Sequence, residues 1–139
     1  MATAPSRPTL QPVQRFAQLF GAVYVLVGVA GFLVTGLSGF ASTSGDKLLL
    51  FGVNPLHNLV HVAVGAVWLA ASRSEASARA ASTLIGAVYL LVGVVGLFLS
   101  GSGDLNLLNL NQPDNALHLA SALLGLWFGL AGRRQPATA

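Results

Sequence analysis

Gly21–Gly36 reads GAVYVLVGVAGFLVTG, and Gly86–Gly101 reads GAVYLLVGVVGLFLSG. Ten of the sixteen aligned positions are identical. The likeness runs on. Ser44-Gly45-Asp46 is echoed by Ser102-Gly103-Asp104. Asn54, Asn58 and His61 form N-x-x-x-N-x-x-H, repeated by Asn111, Asn115 and His118. The chain therefore reads as two copies of one helical hairpin. Because each copy holds two apolar segments, both copies run the same way, and the implied axis lies along a membrane normal.

The charges divide the chain into these segments. Seven basic and four acidic residues are present in 139, with 54% hydrophobic residues and a mean hydropathy of +0.71. A soluble domain carries roughly 25% charged residues, whereas this chain carries 8%. Uncharged runs of 30, 25, 24 and 18 residues lie between Arg15 and Asp46, Lys47 and Arg73, Arg79 and Asp104, and Asp114 and Arg133. A membrane-crossing helix needs about 20 mostly apolar residues. Four spans are predicted: Phe16–Leu37, Pro55–Ser72, Ala81–Ser100 and Pro113–Ala131. The fold class is all-α, an integral membrane four-helix bundle of two duplicated, like-oriented hairpins. The expected units are a tail over 1–15, hairpin one over 16–72, a cytoplasmic loop over 73–80, hairpin two over 81–132 and a tail over 133–139.

Arg7, Arg15, Arg73, Arg79, Arg133 and Arg134 fall on one side of this topology, and only Lys47 on the other. The positive-inside rule places both termini in the cytoplasm. Trp68 and Trp127, shortly before cytoplasmic arginines, read as interfacial belt residues. The first span is longer than a signal-peptide core of about 7–15 residues, and its mid-chain twin has no such role. Seven scattered basic residues give no nucleic-acid footprint. The absence of cysteine removes thiol chemistry, disulfides and cysteine-ligated metals.

Helix periodicity places Gly21, Tyr24, Gly28 and Gly31 on one face of the first span, matched by Gly86, Tyr89, Gly93 and Gly96 on the third. Small residues on such a face let helices pack closely in lipid. Tyr24, Tyr89, Asn54, Asn58, Asn111 and Asn115 are assigned to a structural polar network, since buried polar groups need partners. Asn54 is expected to cap the helix opened by Pro55. Asp114 falls in the first turn opened by Pro113, where the helix dipole favours it. The leucines of 48–50 and 107–110 are expected to fold over the bundle mouth.

The histidines carry the chemical alternatives. In the structural reading, His57, His61 and His118 are neutral groups that pin helix register. In the second, His61 and His118 are axial ligands of a haem or other tetrapyrrole, since paired histidines on facing helices suit that iron. In the third, His57, His61, His118 and Asp114 bind Zn or Cu, because H-x-x-x-H on one helix is a ligand spacing. A weaker alternative is a small-solute or proton pathway. No nucleophile–base pair and no phosphate-binding glycine loop is visible, so the chain is read as no enzyme.

Phe51-Gly52-Val53-Asn54-Pro55-Leu56-His57-Asn58-Leu59-Val60-His61 and Asp114-Asn115-Ala116-Leu117-His118-Leu119 resemble the marks of a family of small four-span bacterial membrane proteins. That family is known as a domain of unknown function and is common in high-GC Gram-positive bacteria. The resemblance covers nearly the whole chain. It implies a topology and a multi-pass place in the bacterial cytoplasmic (inner) membrane, and it brings no catalytic residue. The combined expectation is a structural or accessory subunit of a larger membrane complex. Its partners are lipid and other membrane subunits or itself, and its cofactor is none, a tetrapyrrole or a metal.

Overall fold

The computed structural model describes residues 9–43, 46–100 and 103–131. Arg7, Arg133, Arg134, the 133–139 tail and the Ser44-Gly45 and Gly101-Ser102 pairs lie outside the described residues. Four helices dominate: α1 (Pro12–Thr35), α2 (Pro55–Ala71), α3 (Glu75–Leu99) and α4 (Gln112–Leu130). A small antiparallel hairpin, β1 (Asp46–Leu48) and β2 (Phe51–Val53), joins α1 to α2. A single 3-10 turn at Gly103–Leu105 begins the link from α3 to α4. Two helices, α1 and α3, are long and apolar enough to cross a membrane.

The helices outrun the apolar segments at one end. α1 begins at Pro12, four residues before the expected Phe16, and α3 begins at Glu75, so most of the expected 73–80 loop is helix. Charge marks where a helix leaves an apolar medium, not where it stops. Glu75, Ala76, Ala78 and Arg79 are good helix formers. Ser74 caps α3 by accepting from the Ser77 amide, and Glu75 pairs with Arg79 at 2.9 Å across one turn. The turn from α2 to α3 is only three residues long, which forces the two helices antiparallel. Gln14 then ties the start of α1 to the end of α2, its Nε2 donating to the Ser72 carbonyl at 2.9 Å. The Arg79 guanidinium donates to the Ala131 carbonyl just past α4. A cation there suits the exposed carbonyls of a helix C-terminus.

Each helix packs mainly on its hairpin partner, α1 on α2 and α3 on α4. Glycine sets the approach. A Cβ on Gly21 would lie 2.8 Å from Leu69 Cγ and 2.9 Å from the Gly65 carbonyl oxygen. A Cβ on Gly86 would meet Leu126 Cγ and the Ala122 carbonyl oxygen, both at 3.0 Å. Gly28 abuts Val62 and Gly93 abuts Leu119 in the same way. Gly31 lies against the Asn58 amide and Gly96 against that of Asn115. The two hairpins thus make corresponding contacts at corresponding positions.

An aromatic cluster fills the centre near the arginine end. Phe16 stacks on Phe128 at 4.6 Å between ring centroids and meets Trp68 edge-on at 5.7 Å. Trp68 is 0% exposed and donates from Nε1 to Ser82 Oγ at 3.2 Å. The belt assignment for Trp68 is therefore corrected. Its helix face is the α2 face that carries Asn58, His61 and Gly65, and that face is turned inward. Trp127 lies on the outside of α4, 69% exposed.

Candidate functional site

The inward polar residues rise from the aromatic cluster toward the β hairpin. Asn54 caps α2 by accepting from the His57 amide at 2.8 Å, which starts the helix there and points the His57 side chain inward. The Asn54 side-chain amide also donates to the carbonyls of Ser42 (3.0 Å) and Leu107 (2.8 Å), joining the two loops. One turn on, Asn58 donates to Thr35 Oγ1 at 3.0 Å. In the second hairpin Asn115 donates to Ser100 Oγ at 2.7 Å. Each bond fastens the end of one helix to the start of the next.

Asn111, rather than a residue adjoining Pro113, caps α4, and Pro113 stands in the second helical position. Asn111 Oδ1 accepts from the Asp114 amide at 3.1 Å, and Asp114 Oδ2 accepts from the Asn111 amide at 3.0 Å. This is a reciprocal capping box. The same Oδ2 accepts from the Gly52 amide at 3.0 Å, so one buried carboxylate links α4 to β2 of the other hairpin. Asn111 Nδ2 adds a bond to the Leu50 carbonyl at 2.9 Å.

Beneath these caps, His57, His61 and His118 converge. One nitrogen from each lies within 4.8 Å of the other two. All three side chains are at least nine-tenths buried. His57 Nε2 is 3.1 Å from His61 Nε2, one turn along α2. His57 Nδ1 lies 3.0 Å from the Leu108 carbonyl, which can only accept, so this nitrogen carries the proton. The Nε2 lone pair of His57 then points at His61. His118 joins from α4, its ring centroid 5.8 Å from that of His57 and 6.3 Å from that of His61.

Tyrosine forms the floor. Tyr24 stacks on His61 at 4.9 Å, Tyr89 meets His118 edge-on at 5.1 Å, and the two tyrosine rings are 5.6 Å apart. Their hydroxyls approach each other and Ser121 without reaching hydrogen-bond geometry. His61 Nδ1 and His118 Nδ1 are also buried without a hydrogen-bond partner among the described residues.

Two small cavities flank the rings. One of about 110 Å³ touches His57, His61 and Asp114 and is roofed by Leu48, Leu49 and Phe51. The other, about 70 Å³, reaches all three histidines and Tyr89 between valine walls. Pockets for drug-sized ligands run to roughly 300–1,000 Å³. A tetrapyrrole therefore has no room at His61 and His118, and the 3.1 Å His57–His61 contact occupies the space beside His61. The larger groove, about 350 Å³, lies outside, along α3, and contains no histidine.

Residues 14–131 match the family described as Domain of unknown function (DUF4383). The chain belongs to that family. No curated protein and no solved structure matches it. The family assignment carries no activity, so in this DUF4383 chain the site has to be interpreted from its own atoms. Sequence reasoning singled out the three histidines and Asp114. It did not find the parts played by Gly52, Leu108 and Ser121. The first two act through backbone atoms, which no side-chain pattern advertises. Ser121 adjoins the α4 face read from Asn111, Asn115, His118, Ala122, Gly125 and Gly129 and was not counted in it.

Proposed function

We propose that this DUF4383 chain is a non-enzymatic integral membrane protein, a four-span bundle of two like-oriented, duplicated hairpins that serves as a small structural subunit of a membrane assembly. One observation carries the reading: the side-chain distribution is inside out. Asn54, Asn58, Asn115, Asp114 and the three histidines are buried. Leucine covers the exterior, with Leu33 at 85% and Phe98 at 80% exposure. In water such a surface would drive aggregation. In lipid it costs nothing, and the polar groups belong inside.

Further features support it. α2, with 17 residues, and α4, with 19, extend about 26 and 28 Å at 1.5 Å per residue. Those lengths approach the roughly 30 Å hydrocarbon core. Arg15, Arg73 and Arg79 share the end of the bundle where α1 and α3 begin, as the positive-inside rule expects of a cytoplasmic face. Exposed Leu19, Leu26 and Leu33 recur every seven residues on α1, and Leu84, Leu91 and Phe98 do so on α3. Each stripe offers one row of large apolar side chains on which lipid, another membrane subunit or a second copy can pack.

The lack of cysteine gives a clean background for the test. Ala76→Cys and Leu105→Cys place single thiols at opposite ends. An impermeant maleimide on intact cells should label Leu105→Cys at once and Ala76→Cys only after permeabilisation. The opposite pattern overturns the cytoplasmic placement of the arginine end, and equal labelling of both before permeabilisation or recovery in the soluble fraction overturns the membrane reading. A lone monomer at every detergent strength, extracted from native membrane, overturns the subunit reading.

A further inference from the structure

We propose that His57, His61 and His118 form a three-nitrogen binding site for a late first-row transition-metal ion, zinc or copper. This goes beyond the structural role above and does not depend on it.

The ligand set is positioned before any ion arrives. His57 and His61 share a face of α2 at i and i+4, so their proximity is local. His118 is delivered by α4. The His57 ring is held by its Nδ1–H donating to the Leu108 carbonyl. That is the outer-shell contact by which a metal-binding imidazole is usually oriented, and it turns the Nε2 lone pair toward His61 and the site. Zinc–nitrogen bonds of about 2.0–2.1 Å place ligand nitrogens roughly 3.4 Å apart in a tetrahedron. The His57–His61 pair is already at 3.1 Å, and the third nitrogen lies within 4.8 Å of both. Binding requires the His118 ring to move toward the pair.

The unpartnered atoms point to an occupant. Three neutral imidazoles offer three lone pairs to one another and to a dry wall of valines. A single N–H···N bond uses one of these lone pairs, and His61 Nδ1 and His118 Nδ1 have no partner among the described residues. Buried polar atoms without partners are exceptional and call for an ion or water. An ion at the His57–His61 pair requires the proton of His61 to sit on Nδ1, the tautomer that turns its Nε2 lone pair toward His57.

Ligand chemistry narrows the choice. Magnesium and calcium require oxygen ligands, and the nearby carboxylate of Asp114 has its Oδ2 engaged by the Gly52 and Asn111 amides. Imidazole nitrogens suit zinc and copper. Asp114 does different work. A divalent ion on three neutral ligands would leave net positive charge in a low-dielectric interior, which is costly unless compensated. Asp114 lines the same 110 Å³ cavity as His57 and His61 and supplies the opposite charge. The 70 Å³ cavity beside the rings is large enough for a water in a fourth coordination position.

The experiment uses the full chain in mild detergent, stripped by a chelator and then given Zn(II), Co(II) or Cu(II) alone. Metal content after desalting should reach about one ion per chain. Copper spin resonance should show splitting from imidazole nitrogens, which reads the ligands without any variant. His61→Gln and His118→Gln should each weaken binding at least about 10–100-fold, the loss seen even for outer-shell partners. Zinc should raise the unfolding temperature of the parent chain and not of the variants. If a glutamine variant fails to fold, the copper spectrum and cobalt absorption of the parent decide. A folded parent chain holding less than a tenth of an ion overturns the site. So does a copper signal without nitrogen splitting, or binding unchanged in both variants.

Discussion

Replacing Gly31 by alanine tests whether glycine spacing or polar fastening holds the hairpins. The new Cβ would lie 2.5 Å from Asn58 Cγ and 2.9 Å from its Nδ2. Carbon atoms pack at about 3.5–4.0 Å, so the Asn58 side chain must retreat by roughly 1 Å. That movement breaks its 3.0 Å bond to Thr35 Oγ1. Overpacking costs about 1–3 kcal/mol, and an interhelical hydrogen bond within a membrane averages about 0.6 kcal/mol. Alanine returns roughly 0.8–1.0 kcal/mol of helix propensity. The net expectation is a loss of about 2 kcal/mol. Asn58→Ala alone should cost about 1–2 kcal/mol through the lost bond and contacts. The double variant is the decisive case. With Asn58 truncated, the new methyl group enters vacated space, so Gly31→Ala should become neutral or stabilising in that background. The coupling then lies at or near the upper end of the usual 0.5–3 kcal/mol range for touching residues. Unfolding in mixed micelles, followed by tryptophan fluorescence, measures all four corners. Additive losses, or a single Gly31→Ala as stable as the parent, would refute the argument. Gly96, Asn115 and Ser100 form the corresponding set, with 2.9 Å from a Gly96 Cβ to Asn115 Cγ, and should behave with the same sign.

Trp68→Ala should destabilise by about 3–5 kcal/mol, as for other buried large side chains, whereas Trp127→Ala should change stability by less than about 0.5 kcal/mol. In single-tryptophan variants made with phenylalanine, brominated lipid should quench Trp127 strongly and Trp68 weakly, and equal quenching would contradict the buried position of Trp68. Asp114→Ala leaves the Gly52 and Asn111 amides without their acceptor and should cost about 2 kcal/mol or more by chemical denaturation. Asp114→Asn keeps an acceptor oxygen and should recover most of that loss, so equal losses would mean the hydrogen bonds are not what matters. Leu49 holds φ at 59° in the β hairpin while 85% exposed. Glycine suits that conformation, so Leu49→Gly should leave the unfolding temperature unchanged or raise it, and a marked fall would show that the exposed leucine makes a contact of its own.

Much of the bundle was legible because two signals are long. Uncharged runs marked four helices, and the repeated glycines marked the faces that meet. The helix ends were less legible, since Arg15, Glu75 and Arg79 are as helical as their apolar neighbours. The β hairpin was missed for a physical reason. Its strands are three residues each, and its turn is Leu49-Leu50 rather than an asparagine–glycine pair. Tertiary bonds hold it instead: Asp114 on the Gly52 amide and Asn109 Nδ2 on the Val53 carbonyl at 3.2 Å. Such bonds join residues more than fifty positions apart, and no local pattern encodes them. The belt reading of Trp68 rested on its proximity to an arginine, whereas its helix phase puts it on the inward face with Asn58, His61 and Gly65, and the phase prevails. Three residues on from Gly65 at the α1 contact and seven on from His61, Trp68 could only point inward.

The difference between the hairpins decides where chemistry can occur. Asn54 and Asn111 cap their helices alike, each accepting from the amide three residues on. That third residue is His57 in one hairpin and Asp114 in the other. Asp114 turns back to close its own capping box and to hold Gly52. His57 has no such partner in its own cap, so its ring bonds to Leu108 of the opposite loop and reaches His61. His61 and His118 occupy matching positions, yet only His61 has a histidine one turn before it. Two equal hairpins would give either two carboxylate clasps or four crowded histidines. One of each gives a clasp on one side, three converging nitrogens on the other, and the only buried carboxylate among the described residues beside them. Exchanging the pair, with His57→Asp and Asp114→His together, should then move the histidine pair onto α4 and the clasp onto α2. If the hairpins are equivalent in packing, the exchanged protein folds and binds zinc with three nitrogens again. A folded exchange variant that binds none would show that the Leu108 contact, and not the count of histidines, makes the site.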